Sequence, residues 1–194
     1  MKQFIKMLVV LVLAGQAGRS DAQTAVAGLF KDETDFRANR VSYPLSCDPG
    51  ARAIQTEKLF ANDKIIVRNG DKKTALLKKD FFGYRDCRGI AYRFYQNEAY
   101  RILDTTDFYL YTRTALEPNA GGKGFSSATK YYFSRSPNGS LELLTKGNLE
   151  TAFKENARFR NSVGTYARND NELREYDPYL KQYKVKYLFE ESEK

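Results

Sequence analysis

Short runs of β-branched and aromatic residues, separated by turn signals such as Asn69-Gly70, fill the segment from residue 64 to residue 136. Parallel strands need crossover connections of a dozen or more residues, and most of the connections here are shorter. The pattern therefore predicts an antiparallel β-meander. We expect its strands at residues 64–68, 90–95, 100–103, 108–112 and 130–133.

After residue 144 the spacing of apolar residues becomes helical. Leu149, Ala152, Phe153 and Ala157 share one helical face. Asp177-Pro178 is typical of a helix start, with Asp as the N-cap and Pro at the first helical position. Strands followed by helices predict an α+β fold in which the C-terminal helices pack on one face of the sheet.

Two other segments carry weaker local signals. Residues 29–37 have the spacing of a short amphipathic helix, and either Thr145 or Asn148 is a candidate N-cap for the first C-terminal helix. Residues 117–128 are rich in glycine and small polar residues, which indicates a flexible loop.

The first 22 residues have the organisation of a secretory signal peptide. Two lysines precede an apolar run at residues 7–14, and small residues stand at positions 20 and 22. The run is about half of the roughly 20 residues that span a bilayer. We expect cleavage after Ala22, export to the periplasm or the extracellular medium, and a single α+β domain at residues 23–194 with no transmembrane segment. Cleavage after Ala17 and retention of the run as an anchor stay open.

Export changes the interpretation of the two cysteines, because disulfides persist in oxidising compartments. Cys47 and Cys87 both lie in turn-like sequence contexts, so we expect them near the surface and bridged to each other. Two separate free thiols are the alternative. The chain has no histidine, which excludes Ser-His-Asp catalysis, Cys-His catalysis and His-ligated zinc. We nominate no catalytic residue, no metal ligand and no cofactor.

A Tyr-Arg dipeptide recurs three times at a spacing of eight residues. Residues 86–89, Asp-Cys-Arg-Gly, suit a type I turn that would place Tyr84 opposite Tyr92. A similar loop centred on Gln96 would place Tyr92 opposite Tyr100. The spacing therefore predicts a tyrosine row on one face of the sheet and an arginine row on the other. The rows are Tyr84, Tyr92 and Tyr100, and Arg85, Arg93 and Arg101.

The chain has a formal net charge of +8, and a basic surface attracts polyanions. The arginine row, together with Lys72, Lys73, Lys78 and Lys79, could contact phosphates while tyrosines stack on bases. Export argues against nucleic acid and favours an anionic envelope glycan or lipid, or an envelope protein, as the partner. The simpler alternative is a tyrosine row packed in the core and a solvated arginine row.

The central block combines aromatic residues and glycines at characteristic spacings. They include Phe82-Gly83-Tyr84-Arg85, Gly89, Tyr92-Arg93-Phe94, Tyr100, Tyr109, Tyr111 and Tyr131-Tyr132-Phe133-Ser134. From about residue 60 to residue 190 the chain resembles small exported proteins of Bacteroidetes-type bacteria that have no assigned activity. The resemblance implies an exported single-domain protein and transfers no catalytic residue.

The sequence thus predicts an exported, non-enzymatic binding domain or an envelope-associated accessory protein. We expect its binding surface to be basic and aromatic, around Arg85, Arg93 and Arg101. The alternative is a small envelope enzyme that uses Tyr, Lys or carboxylate chemistry. Such an enzyme needs a concave pocket with convergent polar groups.

Overall fold

The computed structural model describes residues 26–47, 54–55, 63–69, 71–119 and 121–194. The expected signal peptide, residues 1–22, lies outside these ranges. The described residues form an α+β fold in which the sheet precedes the C-terminal helices, as the sequence predicted. No helix among them is both long and apolar enough to cross a membrane.

The elements are named in chain order. The strands are β1 (Gly28–Phe30), β2 (Tyr43–Pro44), β3 (Ile54–Gln55), β4 (Lys64–Asn69), β5 (Lys72–Leu77), β6 (Gly83–Arg85), β7 (Ala91–Tyr95), β8 (Glu98–Asp104), β9 (Tyr109–Pro118), β10 (Phe125–Ser134), β11 (Glu142–Leu143), β12 (Tyr176–Asp177) and β13 (Gln182–Tyr183). The α-helices are α1 (Glu33–Arg37), α2 (Lys146–Ala152), α3 (Ala157–Tyr166), α4 (Asp170–Leu173) and α5 (Lys184–Ser192).

Eight strands form the main antiparallel sheet, in the order β11-β10-β9-β8-β7-β6-β1-β2. The meander from β6 to β10 was predicted, because short connections allow only antiparallel neighbours, whereas β11 was not predicted. Two further sheets are separate from it: β3-β4-β5 and the small hairpin β12-β13. The predicted strand at residues 64–68 therefore exists as β4, but it belongs to a second sheet.

Two layers cover one face of the main sheet, which we call the covered face and define by Leu29, Tyr84, Phe94, Leu110 and Phe133. Over β9 and β10, the C-terminal helices bury a cluster with Leu110 and Phe133. Over β1, β6 and β7, the β3-β4-β5 sheet contributes Ile65 and Val67 to a second cluster. The helices thus pack on one face, as predicted, but they share that face with a small sheet.

The two central hairpins have different turn lengths, and this corrects the predicted rows. The turn at residues 86–89 places Tyr84 opposite Tyr92, as expected, and Gly89 has a positive φ of 79°. The next turn has only two residues, Gln96 and Asn97, both with positive φ. Tyr92 therefore pairs with Arg101 instead of Tyr100.

A shift of one residue in register moves every side chain to the opposite face of the sheet. Tyr100 pairs with Arg93, so these two residues lie on the face opposite the covered face, while Arg101 lies on the covered face. The predicted rows are correct for Tyr84 with Tyr92 and for Arg85 with Arg93. They are wrong for Tyr100 and Arg101, which lie on the opposite faces from those predicted.

Three local predictions also need correction. Residues 29–37 contain both β1 and the shorter helix α1, and residues 117–128 include the paired ends of β9 and β10 instead of a long loop. Asp177 does accept hydrogen bonds from the N–H groups of Tyr179 and Leu180. These bonds stabilise a turn between β12 and β13, and not the predicted helix. Lys181 adopts a positive φ in this turn, and the two strands then pair with each other.

Helix α2 begins as expected, with the Thr145 hydroxyl accepting a hydrogen bond from the Asn148 N–H at 3.2 Å. The apolar face predicted at residues 149–157 is divided between two helices. Helix α2 ends at Ala152, with Phe153 as its C-cap, and α3 begins after its N-cap, Asn156. Leu149 and Phe153 are buried against the sheet and Ala152 packs beside them, whereas Ala157 is exposed and α3 buries Phe159 and Val163 instead.

Cys47 and Cys87 form the predicted disulfide. The bridge connects the chain just after β2 to the turn between β6 and β7, across 40 residues of sequence. By the chain-entropy argument a loop of this length stabilises the fold by about 4 kcal/mol.

The close approach of β6 and β7 requires glycine at position 83. A Cβ added to Gly83 would lie 1.9 Å from the Tyr92 carbonyl oxygen. Gly83→Ala should therefore lower the free energy of unfolding by about 2–3 kcal/mol, because the strands have to separate. Gly164→Ala in α3 is the control, since it meets open space and should stabilise by up to about 1 kcal/mol. Urea unfolding measures the free energy of unfolding of both variants. Equal changes in Gly83→Ala and Gly164→Ala would contradict the prediction.

Candidate functional site

Arg93 lies on the face of the main sheet opposite the covered face, which we call the Arg93 face and define by Phe30, Arg93, Tyr100, Tyr111 and Tyr132. It is opposite Gly83 on β6 and Tyr100 on β8. The residue is only 5% exposed. Its guanidinium carbon lies near the centroids of three rings: Phe82 at 5.9 Å, Tyr95 at 5.4 Å and Tyr111 at 5.7 Å.

The hydrogen-bond partners of Arg93 are all uncharged. Its Nη1 donates to the Tyr111 hydroxyl at 3.2 Å and to the Ser134 Oγ at 3.4 Å, and its Nη2 donates to the Gly139 carbonyl at 2.8 Å. The Ser134 hydroxyl in turn donates to the Ser136 carbonyl at 2.7 Å. This network fixes the guanidinium against β9 and β10.

No carboxylate among the described residues forms an ion pair with Arg93. A guanidinium has five N–H donors and stays charged in proteins, and Arg93 makes three hydrogen bonds in the described part of the chain. Burying a charge without an opposite charge costs several kcal/mol. A bound anion would offset this cost, so Arg93 is a candidate anion-binding residue.

Arg93 lines a cleft of about 260 Å³, which we call the Arg93 cleft. Four separate segments build it: the β1–α1 turn, the 3₁₀ turn at Lys78–Asp80 and the start of β6, strand β7, and the turn before β11. The lining residues are Lys31, Asp32, Lys79, Asp80, Phe81, Phe82, Arg93, Phe94 and Asn138. Two lysines thus add positive charge at the mouth, beside two carboxylates and the aromatic residues Phe81 and Phe82. The ring of Phe94 packs on Tyr84 in the cluster of the covered face.

Local interactions hold the mouth of the cleft in place. The Lys31 ammonium lies 5.4 Å from the centre of the Phe81 ring. Asp32 caps α1, because its Oδ1 accepts a hydrogen bond from the Asp35 N–H at 2.9 Å. Next to Lys79, the Lys78 ammonium is buried and donates to the Asn97 carbonyl at 2.7 Å, which ties the 3₁₀ turn to the β7–β8 turn.

The structure separates the six residues that the sequence proposed for binding. Only Arg93 lines the cleft. Arg85 is half-buried over the Phe30 ring and donates to the Asn39 side chain, while Arg101 is exposed on the covered face. Tyr84 and Tyr92 stack at 4.7 Å within the core, and Tyr100 packs edge-on against Tyr132.

Sequence reasoning missed most of the cleft. Lys79 was among the proposed phosphate contacts, but Lys31, Asp80 and Asn138 carried no local signal. Lys31 and Asp80 are 49 positions apart in the chain, and Asp80 and Asn138 are 58 apart. Only the fold brings the three residues together.

The tyrosine hydroxyls on the Arg93 face act as neutral hydrogen-bonding groups. Burial raises the pKa of Tyr111, although Arg93 and the hydrogen bond with Ser134 act in the opposite direction. Burial also raises the pKa of Tyr100. Both hydroxyls therefore stay protonated at neutral pH, and that of Tyr111 accepts a hydrogen bond from Arg93 and helps to position it.

A second cleft of about 260 Å³ lies beside α3 and α5. Its floor is aromatic, with Phe108, Phe153 and Phe189, and Arg135 stacks 5.4 Å over the Phe153 ring. Its charged residues are all exposed: Asp107, Arg135, Glu155 and Glu193. No buried charge opens into it, so the Arg93 cleft is the stronger candidate.

Within the described part of the chain, no three His, Cys, Asp or Glu residues are grouped so that they could hold a metal ion. Comparison with protein-family models, with curated proteins and with solved structures gives no match to this chain. The resemblance to small exported Bacteroidetes-type proteins stays a prediction.

Lys186 on α5 is the other buried cation of interest, being 3% exposed. Its ammonium donates to the Thr106 and Phe108 carbonyls, lies 3.6 Å from the Asp104 carboxylate, and lies 3.7 Å from the centre of the Phe108 ring. Its three N–H donors are therefore engaged in holding the β8–β9 turn, and we assign it a structural role.

Burial lowers the pKa of Lys186 to about 8, while Asp104 and Asp107 act in the opposite direction. Between pH 8 and about pH 10.4 the native side chain is neutral and the unfolded one is still charged. The unfolded state then binds more protons, so stability contributed by this group rises with pH in that window.

Across this window we expect the free energy of unfolding of the wild-type protein to rise by up to about 1.4 kcal/mol per pH unit relative to that of Lys186→Met. Urea unfolding of both proteins between pH 7 and pH 10 measures the difference. Lys181→Met, at an exposed position, controls for the loss of one positive charge. The same pH slope for both variants would show that Lys186 is not the group responsible.

Proposed function

We propose that this protein is an exported, non-enzymatic binding domain that holds an anionic ligand in the Arg93 cleft. The observation that carries the proposal is the buried Arg93 guanidinium, which has only uncharged hydrogen-bond partners among the described residues and lines an open cleft. A ligand with a negative charge would supply the missing opposite charge, and Lys31 and Lys79 would add attraction at the mouth.

The proposed export rests on two features of the chain. The signal-like segment at residues 1–22 provides an address, and the Cys47–Cys87 disulfide is typical of proteins from oxidising compartments. In the periplasm or the medium, the anionic ligand would come from envelope glycans or lipids, or from an envelope protein. The resemblance to small exported proteins agrees with this proposal.

The cleft supports a localised site better than a broad basic surface. The proposed arginine row is divided between the two faces of the sheet, so it cannot present three guanidinium groups to one polyanion. Asp32 and Asp80 also line the cleft and would repel a long run of negative charges. Recognition of one anionic group is therefore the function that we propose.

The test is an NMR titration of the ¹⁵N-labelled protein with acetate, glucuronate and inorganic phosphate. We expect at least one anion to shift the amide signals of residues 31–32, 79–82 and 93–94. Lys31→Ala with Lys79→Ala should weaken binding about tenfold, since each lost ion pair is worth up to about 1 kcal/mol.

Lys72→Ala with Lys73→Ala is the matched control. It removes the same charge from β5 at two exposed positions outside the cleft, so affinity should stay within about twofold of wild type. Equal losses in both double variants would indicate unspecific attraction to a basic protein. An absence of shifts at the cleft with all three anions would contradict the proposal.

The alternative is a small enzyme acting in the same cleft, where Asp32 and Asp80 lie close to a bound ligand. The same samples test it, because ligand signals that change over hours would reveal turnover. Conversion that Asp80→Asn abolishes, while binding persists, would favour the enzyme over the binding domain.

A further inference from the structure

We infer that the ligand of the Arg93 cleft is a sugar acid, meaning a small carboxylate that carries hydroxyl groups on its carbon ring. This inference rests on the proposed function, because it names the ligand class of the same site. It is argued from the charges, the acceptors and the apolar walls that line the cleft.

The charge of the cleft matches a ligand with one negative charge. Its lining contains three cations, Lys31, Lys79 and Arg93, and two carboxylates, Asp32 and Asp80. The remaining charge is +1, so a monocarboxylate neutralises the cleft. A phosphate dianion or a sulfated polymer would bring excess negative charge close to the two carboxylates, which is unfavourable at short range.

Arg93 suits the carboxylate of such a ligand. A guanidinium presents a planar fork of donors that a carboxylate accepts at two points. Hydrogen bonds to Tyr111, Ser134 and Gly139 use three of the five donors and hold the group in place. A ligand would meet a guanidinium that is already oriented, so little conformational entropy is lost on binding.

The same two carboxylates account for the hydroxyl groups. Ionised carboxylates only accept hydrogen bonds, so Asp32 and Asp80 favour a ligand that brings donors of its own. Asn138 adds an amide that both donates and accepts. A simple carboxylate such as acetate makes no hydrogen bond to these groups, which stay hydrated, whereas the hydroxyl groups of a ring can donate to them.

The apolar walls and the size complete the match. Phe81 and Phe82 line the cleft beside the charged groups, and aromatic side chains pack well against the C–H surface of a ring. The volume of about 260 Å³ is near the lower limit of small-molecule sites. The cleft therefore fits one sugar residue, either free or at the end of a chain.

The experiment compares five probes by isothermal titration calorimetry of the whole protein. Glucuronate has both the carboxylate and the hydroxyl groups, glucose lacks the carboxylate, and acetate lacks the hydroxyl groups. Inorganic phosphate is a compact anion, and glycine pairs a carboxylate with an ammonium. We expect glucuronate to bind about tenfold or more tightly than each of the others, since each of them lacks at least one set of hydrogen bonds.

Asp80→Asn tests the role of the carboxylate charge. The variant keeps the size of the side chain and changes the cleft charge from +1 to +2, so phosphate should bind several-fold more tightly. The preference for glucuronate over phosphate should fall about fivefold or more. Asp71→Asn, at an exposed position outside the cleft, should leave the preference unchanged.

The outcomes separate this inference from the proposed function. Phosphate, acetate or glycine binding as tightly as glucuronate would overturn the sugar acid and leave an anion-binding cleft. Glucose binding as tightly as glucuronate would overturn the role of the carboxylate. If none of the anions binds in a way that depends on Lys31 and Lys79, both the sugar acid and the proposed anion-binding function are overturned. An unchanged preference in Asp80→Asn would show that the aspartate does not select the ligand.

Discussion

The register between β7 and β8 is the constraint on which the rest of the Arg93 face depends. The two-residue turn at Gln96 and Asn97 pairs Arg93 with Tyr100. Because side chains alternate between the faces of a strand, Tyr95 lies beside Arg93 on β7, and this register adds Tyr100 of β8 to the same face. A three-residue turn would have moved β8 by one position and placed Arg93 opposite Ala99, with Arg101 on the same face.

Arg93 in turn links distant parts of the fold. Its hydrogen bonds reach β9, β10 and the turn at residue 139. Its guanidinium packs near the rings of Phe82, just before β6, and Tyr95 on β7. Buried charges are usually paired with an opposite charge, and here uncharged groups position the guanidinium without neutralising it. That arrangement is costly for stability alone and is well suited to recognition of an anion.

The two faces of the main sheet are buried in different ways, because the Arg93 face carries only a smaller cluster of Tyr100, Tyr109 and Tyr111. Helices cover β9 and β10, and the β3-β4-β5 sheet covers β1, β6 and β7, so the large apolar clusters lie on one side. The disulfide fixes the chain after β2 to the β6–β7 turn near the second cluster. The second cluster reaches the cleft through Phe81 and Phe94, and on the Arg93 face Phe36 of α1 packs against the cluster of Tyr100, Tyr109 and Tyr111.

The sequence by itself determined the antiparallel strands, the turn at residues 86–89, the Cys47–Cys87 bridge and the cap of α2 by Thr145. Each depends on residues close in the chain, or on the only two cysteines present. Tertiary structure decided the faces of Tyr100 and Arg101, the separate sheet that contains β4, and the turn at Asp177. It also brought Lys31, Lys79, Arg93 and Asn138 into one cleft. Gln96 is not typical of a turn with positive φ, so packing across the sheet, and not local chemistry, selected that register.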